Sequence, residues 1–470
     1  MPESDSSSAQ VHSGGSLADE LAAPAVSRAY VCQCGRPVYL RNSQCLACGT
    51  PLGYVTSRVG VLPLAPTDDP ELFTVFGEPD GPRYRRCANF STAAGCNWLV
   101  PEDEEAEPGL AHTHGLAPGL CLACSATRTI PDLSVPENPE LWQKMEAAKR
   151  RVLSQLLALG LPISTRLADP DHGLAFDFLS NLPGSPRVLT GHQDGVITLN
   201  IEEGDDAQRE KTRAEMREPY RTLVGHFRHE IGHYYWDVLV APTPWLEGFR
   251  ALFGDETQDY GQALQRHYEN GPPADWALRY VTSYASTHPW EDWAETWAHY
   301  LHMADTVDTA LSFGVNAVNV ELTSDLFTRE DLWQPEHEDA DRFLDFLNGW
   351  VRLTNVLNEL SRSMGQPDFY PFVLPHAAVG KLQFIHQLVT AQRGQPAPVR
   401  AEGGEPAPVQ EPPPAGDPVP VQDPPADPAS VATDVAQPDQ APTPDGGELP
   451  PVANQPEQMP GQNLQQPLAA

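Results

Sequence analysis

His229-Glu230-Ile231-Gly232-His233 stands inside a segment, residues 220–240, whose apolar Leu223, Phe227, Ile231, Tyr234 and Val238 recur at three- and four-residue steps. That period predicts a helix with one core-facing stripe, closed by Pro242 and Pro244. Positions i and i+4 of a helix share a face, so His229 and His233 can offer two imidazoles to one ion. Glu230, one position on, is placed to hold a metal-bound water without being a ligand itself. These residue types at this spacing suit a zinc hydrolase. Gly232 costs roughly 1 kcal/mol against Ala in a helix interior; a neighbouring backbone that must approach closely would account for it.

Two histidines do not complete a catalytic zinc site, which takes a third protein ligand and leaves a fourth position for water. Leu239, six residues after His233, excludes a ligand on an extension of the same helix, and Asp237 is expected to orient a histidine or cap the helix end. Residues 254–261, Gly-Asp-Glu-Thr-Gln-Asp-Tyr-Gly, superficially resemble the Gly-Thr-x-Asp-x-x-Tyr-Gly signature of zinc peptidases with an Asp ligand, but Thr257 stands where that Asp belongs. The third candidate is Pro289-Trp290-Glu291-Asp292-Trp293-Ala294-Glu295-Thr296-Trp297. Pro289 suits a first helical turn, and Trp293, Trp297 and Leu301 follow at four-residue steps. Glu291 and Glu295 then share another face, where two like charges repel. They make sense together if one binds the metal and the other accepts the outer N–H of a ligating histidine.

All eight cysteines lie between residues 32 and 124. Cys32-Gln-Cys34-Gly and Cys45-Leu-Ala-Cys48-Gly are two knuckles with ten residues between them, the pattern of a four-thiolate zinc site. Cys87, Cys96, Cys121 and Cys124 form a second set, less regular because eight residues separate its first pair. His112 and His114 in the following loop are alternative ligands. CxxC spacing without an export signal favours metal over disulfides. Both sites are expected to be structural, with zinc supplying folding energy to a region of short strands and loops.

The folded part is expected to span residues 29–394, which hold all ten Trp and all eight Cys. From residue 395 the chain is mostly Pro, Ala, Gln, Asp and Val without any Trp, Tyr, Phe or Cys, so residues 395–470 are expected to be a disordered tail. Residues 1–28 are expected to be loose, and 101–119 to form a mobile acidic loop. A formal net charge of −34 argues against nucleic acid or an anionic membrane as partner. No apolar run is long enough to span a bilayer, and no secretory signal is visible, so the expected location is cytoplasmic. Apolar periodicity predicts further helices ending at Gly160 and near Gly365, and a last one over 376–392.

The order HExxH, then a distant Glu-x-x-x-Glu, resembles the gluzincin peptidases. Residues 30–390 are similar to a family of zinc-binding metallopeptidases with an N-terminal zinc ribbon, through the Cys-rich start, Arg85-Arg86-Cys87-Ala88-Asn89, Cys96-Asn97-Trp98-Leu99-Val100, Arg128-Thr129-Ile130-Pro131-Asp132-Leu133-Ser134 and both zinc motifs. The resemblance implies Glu291 as third ligand and Glu295 as its outer support. It implies Glu230 as general base and, from a Tyr seven residues before the ligand in some gluzincins, Tyr284 as the oxyanion donor, with His288 second. His226, His267, His299 and His302 are read as packing or surface residues. The strand-like 195–201 is expected to be the sheet edge on which an extended peptide pairs. The expected fold is α+β: a two-ribbon module over 29–130, a mostly helical gluzincin-like domain with a small edge-strand sheet over 131–394, and the tail. The expected activity is hydrolysis of a peptide or protein substrate with one catalytic and two structural zinc ions. The alternative is a non-enzymatic adaptor whose ribbons and Pro-rich tail recruit protein partners.

Overall fold

The cysteine-bearing half is built from short strands. The computed structural model describes residues 26–103, 113–181, 188–215, 218–317, 320 and 326–398. β1 (Tyr30–Val31) and β2 (Pro37–Val38) frame the first knuckle. β3 (Leu52–Val55), β4 (Gly60–Pro66), β5 (Leu72–Val75), β6 (Tyr84–Arg86) and β7 (Leu99–Pro101) form an antiparallel meander in chain order. It encloses an apolar cluster of its own, Val55, Leu64, Val75, Tyr84 and Leu99, so this region has more sheet than its composition suggested. β8 (Thr113–His114), the single helical turn α1 (Leu122–Ser125) and β9 (Thr127–Thr129) lead into the second half.

There α2 (Asn138–Ala158) is followed by β10 (Ile163–Ser164), β11 (Ala175–Leu179), β12 (Gly191–Gln193) and β13 (Val196–Asn200). β10 pairs with β8, and the others form a sheet of order β12-β13-β11-β9. The strand expected at 195–201 is present, but as an internal strand and not the edge. Asp194 and Gly195 both have positive φ, 47° and 82°, the backbone of the Asp-Gly turns that match hairpin twist. That turn folds β12 antiparallel onto the outer side of β13. A Cβ at Gly195 would come within 2.3 Å of the His172 carbonyl oxygen, so no other residue fits there.

The remaining elements are helices: α3 (Asp206–Glu215), α4 (Leu223–Tyr235) running into a π turn (Trp236–Val240), α5 (Trp245–Phe253), α6 (Tyr260–Asn270), α7 (Pro289–Ser312), α8 (Ala340–Ser363) and α9 (His376–Gln392). Together with the strands they make an α+β protein whose N-terminal part is the cysteine-bearing strand module. A single apolar cluster runs from Cys32 through Trp142, Phe176, Phe227, Trp293 and Trp297 to Val389. Among the described residues, no helix is long and apolar enough to cross a membrane.

α4 and α7 cross at Gly232. A Cβ there would lie 3.1 Å from both Ala294 Cα and Trp297 Cδ1, and Trp293 Nε1 donates to the Gly232 carbonyl at 2.8 Å. The glycine therefore lets the two helices approach, which offsets its helix penalty.

A charged hub fixes the same helices from the other end. Asp305 of α7 takes Arg228 of α4 at 2.9 Å, Arg151 of α2 at 2.8 Å and Arg28 at 3.4 Å. Arg28, expected to be loose, is instead buried, and its backbone N–H donates to Ser312 Oγ. The rest of the expected loose termini, 1–25 and 399–470, lies outside the described residues, as do 104–112 of the acidic loop. Burial pushes the Asp305 carboxyl up, but Arg151, Arg228 and Arg28 outweigh it and hold the group below its ordinary value. A depressed folded pKa means that the unfolded chain binds the proton more readily. Asp305 thus stabilises fully above about pH 4, and the contribution disappears as pH falls through the folded value. Asp305→Asn should cost about 3–5 kcal/mol in urea unfolding at pH 7, because it leaves buried guanidinium groups without their counter-ion. It should also flatten the acid limb of the stability curve.

Candidate active site

Thr222 starts the helix that carries the pentapeptide, its Oγ1 accepting from the Gly225 N–H at 3.1 Å. From there the stripe Leu223, Phe227, Ile231 and Tyr234 is buried, which turns His229 and His233 toward α7. α7 begins at Pro289 with His288 as its cap: His288 Nδ1 accepts from the Trp290 N–H, and Nε2 donates to the Gln258 carbonyl, both at 3.1 Å. Both ring nitrogens being engaged, His288 is a capping residue and not the oxyanion donor considered for it. Trp290, Trp293 and Trp297 are buried, Trp290 against the His233 ring with centres 3.9 Å apart, and the neighbouring stripe of α7, Glu291 and Glu295, faces the histidines.

His229 Nε2 and His233 Nε2 lie 3.3 Å apart, and Glu291 Oε2 is 3.1 Å from the first and 3.6 Å from the second. A tetrahedral zinc with bonds of 2.0–2.1 Å has ligand–ligand edges of about 3.3–3.4 Å, so the three atoms match one face of such a tetrahedron. Glu291 is fully buried and its Oε2 makes no hydrogen bond among the described residues. A buried carboxylate oxygen facing two imidazole nitrogens in this way suits a shared cation. Burial raises the Glu291 carboxyl, but the neighbouring imidazoles of His233 and His229 prevail and hold it well below the carboxylate range.

The surrounding groups aim these ligands. Glu295 Oε1 is 2.6 Å from His229 Nδ1, and Thr282 Oγ1 donates to Glu295 Oε2 at 2.7 Å. That contact assigns the proton to Nδ1 and leaves the Nε2 lone pair directed at the centre. Glu230 is buried, its Oε2 without a hydrogen-bond partner among the described residues, and burial raises its carboxyl to about 7. Tyr284 stacks obliquely beside His229, with ring centres 6.1 Å apart. Asp237 lies in the π turn, 4.0 Å from His192 Nε2. His226 faces Glu203, His299 meets the Tyr370 hydroxyl, and His302 contacts Arg228; none joins the cluster.

Tyr260 is the residue the sequence did not reveal. Its hydroxyl donates to Glu291 Oε1 at 2.7 Å. It lies in the 254–261 stretch weighed for a third ligand; the stretch reaches the site through its tyrosine, while Asp255 is exposed and Asp259 caps α6. Burial and the Glu291 charge raise the Tyr260 phenol, so it remains a donor.

Both cysteine sets converge. In the first, Cys32 and Cys48 sulfurs are 3.6 Å apart and Cys34 and Cys45 3.8 Å; in the second, Cys96 and Cys121 are 3.6 Å apart. A tetrathiolate zinc with 2.3 Å bonds has edges of about 3.8 Å, whereas a disulfide would need about 2.05 Å. All eight cysteines are free, and each set, Cys32, Cys34, Cys45, Cys48 and Cys87, Cys96, Cys121, Cys124, lies within 4.8 Å of mutual approach. The first set alternates buried and exposed; the second is wholly buried. His112 lies outside the described residues, and His114 does so in its side chain.

Two families of known proteins match the chain, one over each part. The family described as "Putative zinc-binding metallo-peptidase" matches residues 138–388, and a zinc-ribbon domain family matches 29–135. Uncharacterized proteins of Mycobacterium tuberculosis (strain H37Rv) and Mycobacterium bovis are each 44% identical over 357 residues, covering 76% of this chain and 93% of the relative. No solved structure matches the chain. With more than half of its length inside that match, the chain belongs to this zinc-binding metallopeptidase family and carries a zinc-ribbon domain in front of the peptidase part.

Proposed function

We propose that the chain is a gluzincin-type peptidase with one catalytic zinc held by His229, His233 and Glu291, and a structural zinc in each cysteine set. The observation that carries this reading is the triangle of His229 Nε2, His233 Nε2 and Glu291 Oε2, with edges of 3.1, 3.3 and 3.6 Å beside a buried, unpartnered Glu230 oxygen. When bound, zinc lowers the pKa of its water toward about 7 and polarises the scissile carbonyl. Glu230 takes the proton of the attacking water as the new O–C bond forms, then delivers it to the amine nitrogen as the C–N bond breaks. Glu295 holds His229 in the tautomer that ligates, and Tyr284 donates its hydroxyl to the oxyanion. β12 packs beside α4, so its outer edge is where an extended peptide would add as a strand. The first ribbon offers a protein partner an apolar rim of exposed Val31, Tyr39 and Leu46. A cytoplasmic location belongs to the same reading.

Zinc analysis of the purified chain tests it. Near three equivalents are expected for the wild type and near two for Glu291→Ala. A wild type holding two, unchanged by that substitution, would remove the catalytic centre from the proposal.

A further inference from the structure

We infer that Tyr260 is a positioning residue for the metal centre: its hydroxyl restrains Glu291 to one-oxygen ligation and so keeps the fourth position of the site open. This rests on the metallopeptidase reading and deepens it. The two oxygens of Glu291 have different surroundings. Oε2 faces the two histidines and makes no hydrogen bond, whereas Oε1 accepts from the Tyr260 hydroxyl at 2.7 Å. A carboxylate beside a divalent ion can bind through one oxygen or both. Binding through both would occupy the coordination position that a hydrolytic site needs for water. A phenol donor on Oε1 competes with the second bond and reduces the charge available from that oxygen.

Tyr260 is built to stay where it is. The residue is buried at the first position of α6, a helix whose start is fixed by Asp259 accepting from the Gln262 N–H at 2.9 Å. Its ring meets His288 edge-on, with centres 5.3 Å apart, and Trp290 at 5.9 Å. Both neighbours belong to the capped start of α7, so the phenol and the Glu291 carboxylate are referenced to one rigid corner. A ring clamped on these sides cannot swing toward substrate, which separates its role from that of Tyr284.

The test is Tyr260→Phe in the full chain, which removes only the hydroxyl, with Tyr284→Phe beside it. Zinc affinity is read by chelator competition and site geometry by NMR of cadmium-113-loaded protein, in which tetrathiolate and nitrogen/oxygen sites resonate in separate regions. Tyr260→Phe should weaken binding of the zinc at His229, His233 and Glu291 about 10–100-fold and shift the nitrogen/oxygen resonance alone. Tyr284→Phe should lower kcat and leave both the affinity and that resonance near their wild-type values. If Tyr260→Phe lowers kcat or thermal stability with zinc affinity and resonance unchanged, the positioning role is overturned and the metallopeptidase reading stands. A wild-type protein without any nitrogen/oxygen cadmium resonance would overturn both.

Discussion

Glu230→Gln should leave a folded chain with its full zinc complement and slow peptide hydrolysis by about 10²–10⁴-fold or more. The amide has the shape of the carboxylate and stays one residue from His229, but it cannot take a proton from water or return one to an amine. Glu230 is buried, and no hydrogen bond among the described residues holds its Oε2, so the substitution breaks no contact that the fold needs. Burial chiefly sets its carboxyl at about 7; a bound cation would favour the charged form and move that value down. Activity requires the charged form, so the wild-type rate should fall as pH drops through this group. The proteome-wide cleavage pattern of wild type against Glu230→Gln is the decisive measurement. Identical patterns would favour the adaptor reading, in which the peptidase fold is only a scaffold.

What could be read from the sequence and what could not divides along the range of the interactions. His229, Glu230, His233, Glu291 and Glu295 were legible because each set lies on one helix, where a step of four residues fixes a shared face. Gly232 was legible as a place of close approach for the same reason. Tyr260 was not: it reaches Glu291 across 31 residues of loop and helix, and no period relates the two. His288 takes a role its neighbour announces: Pro289 marks a helix start, and the residue before such a start caps it with whatever acceptor it has. The pairing of Cys87 with Cys96 becomes intelligible only once β6 and β7 are side by side, with Arg86 opposite Leu99. The internal place of β13 is different, because a signal for it is present in the sequence. Asp194-Gly195 is a hairpin dipeptide, and reading it would have placed another strand outside 196–200.

Cys121→Ser should destabilise the peptidase part as well as the ribbon. Cys87, Cys96, Cys121 and Cys124 are all about 1% exposed or less, and they belong to the same apolar cluster as Trp142, Met145, Phe227 and Trp297. α1, which carries Cys124, packs on α2, and α2 packs on α4 with its two histidines. α2 adds buried charge at this junction: Lys149 Nζ is 2.9 Å from Glu146, and both are fully buried, while Arg150 donates to the Ala94 carbonyl two residues before Cys96. Structural zinc contributes on the order of 10–16 kcal/mol of apparent binding energy in small zinc domains, comparable to the entire 5–15 kcal/mol that holds a typical domain folded. Weakening that site therefore removes a large fraction of what stabilises the cluster, and with it the platform under α4. In the first set Cys34 and Cys48 are exposed, so Cys34→Ser should release one zinc and loosen residues 30–50 while α4 keeps its protection. Hydrogen exchange of the α4 amides, read with zinc content and the thermal midpoint, separates the two variants. A Cys121→Ser protein with wild-type α4 protection and an unchanged midpoint would show that the second ribbon site is not a support for the active-site helix.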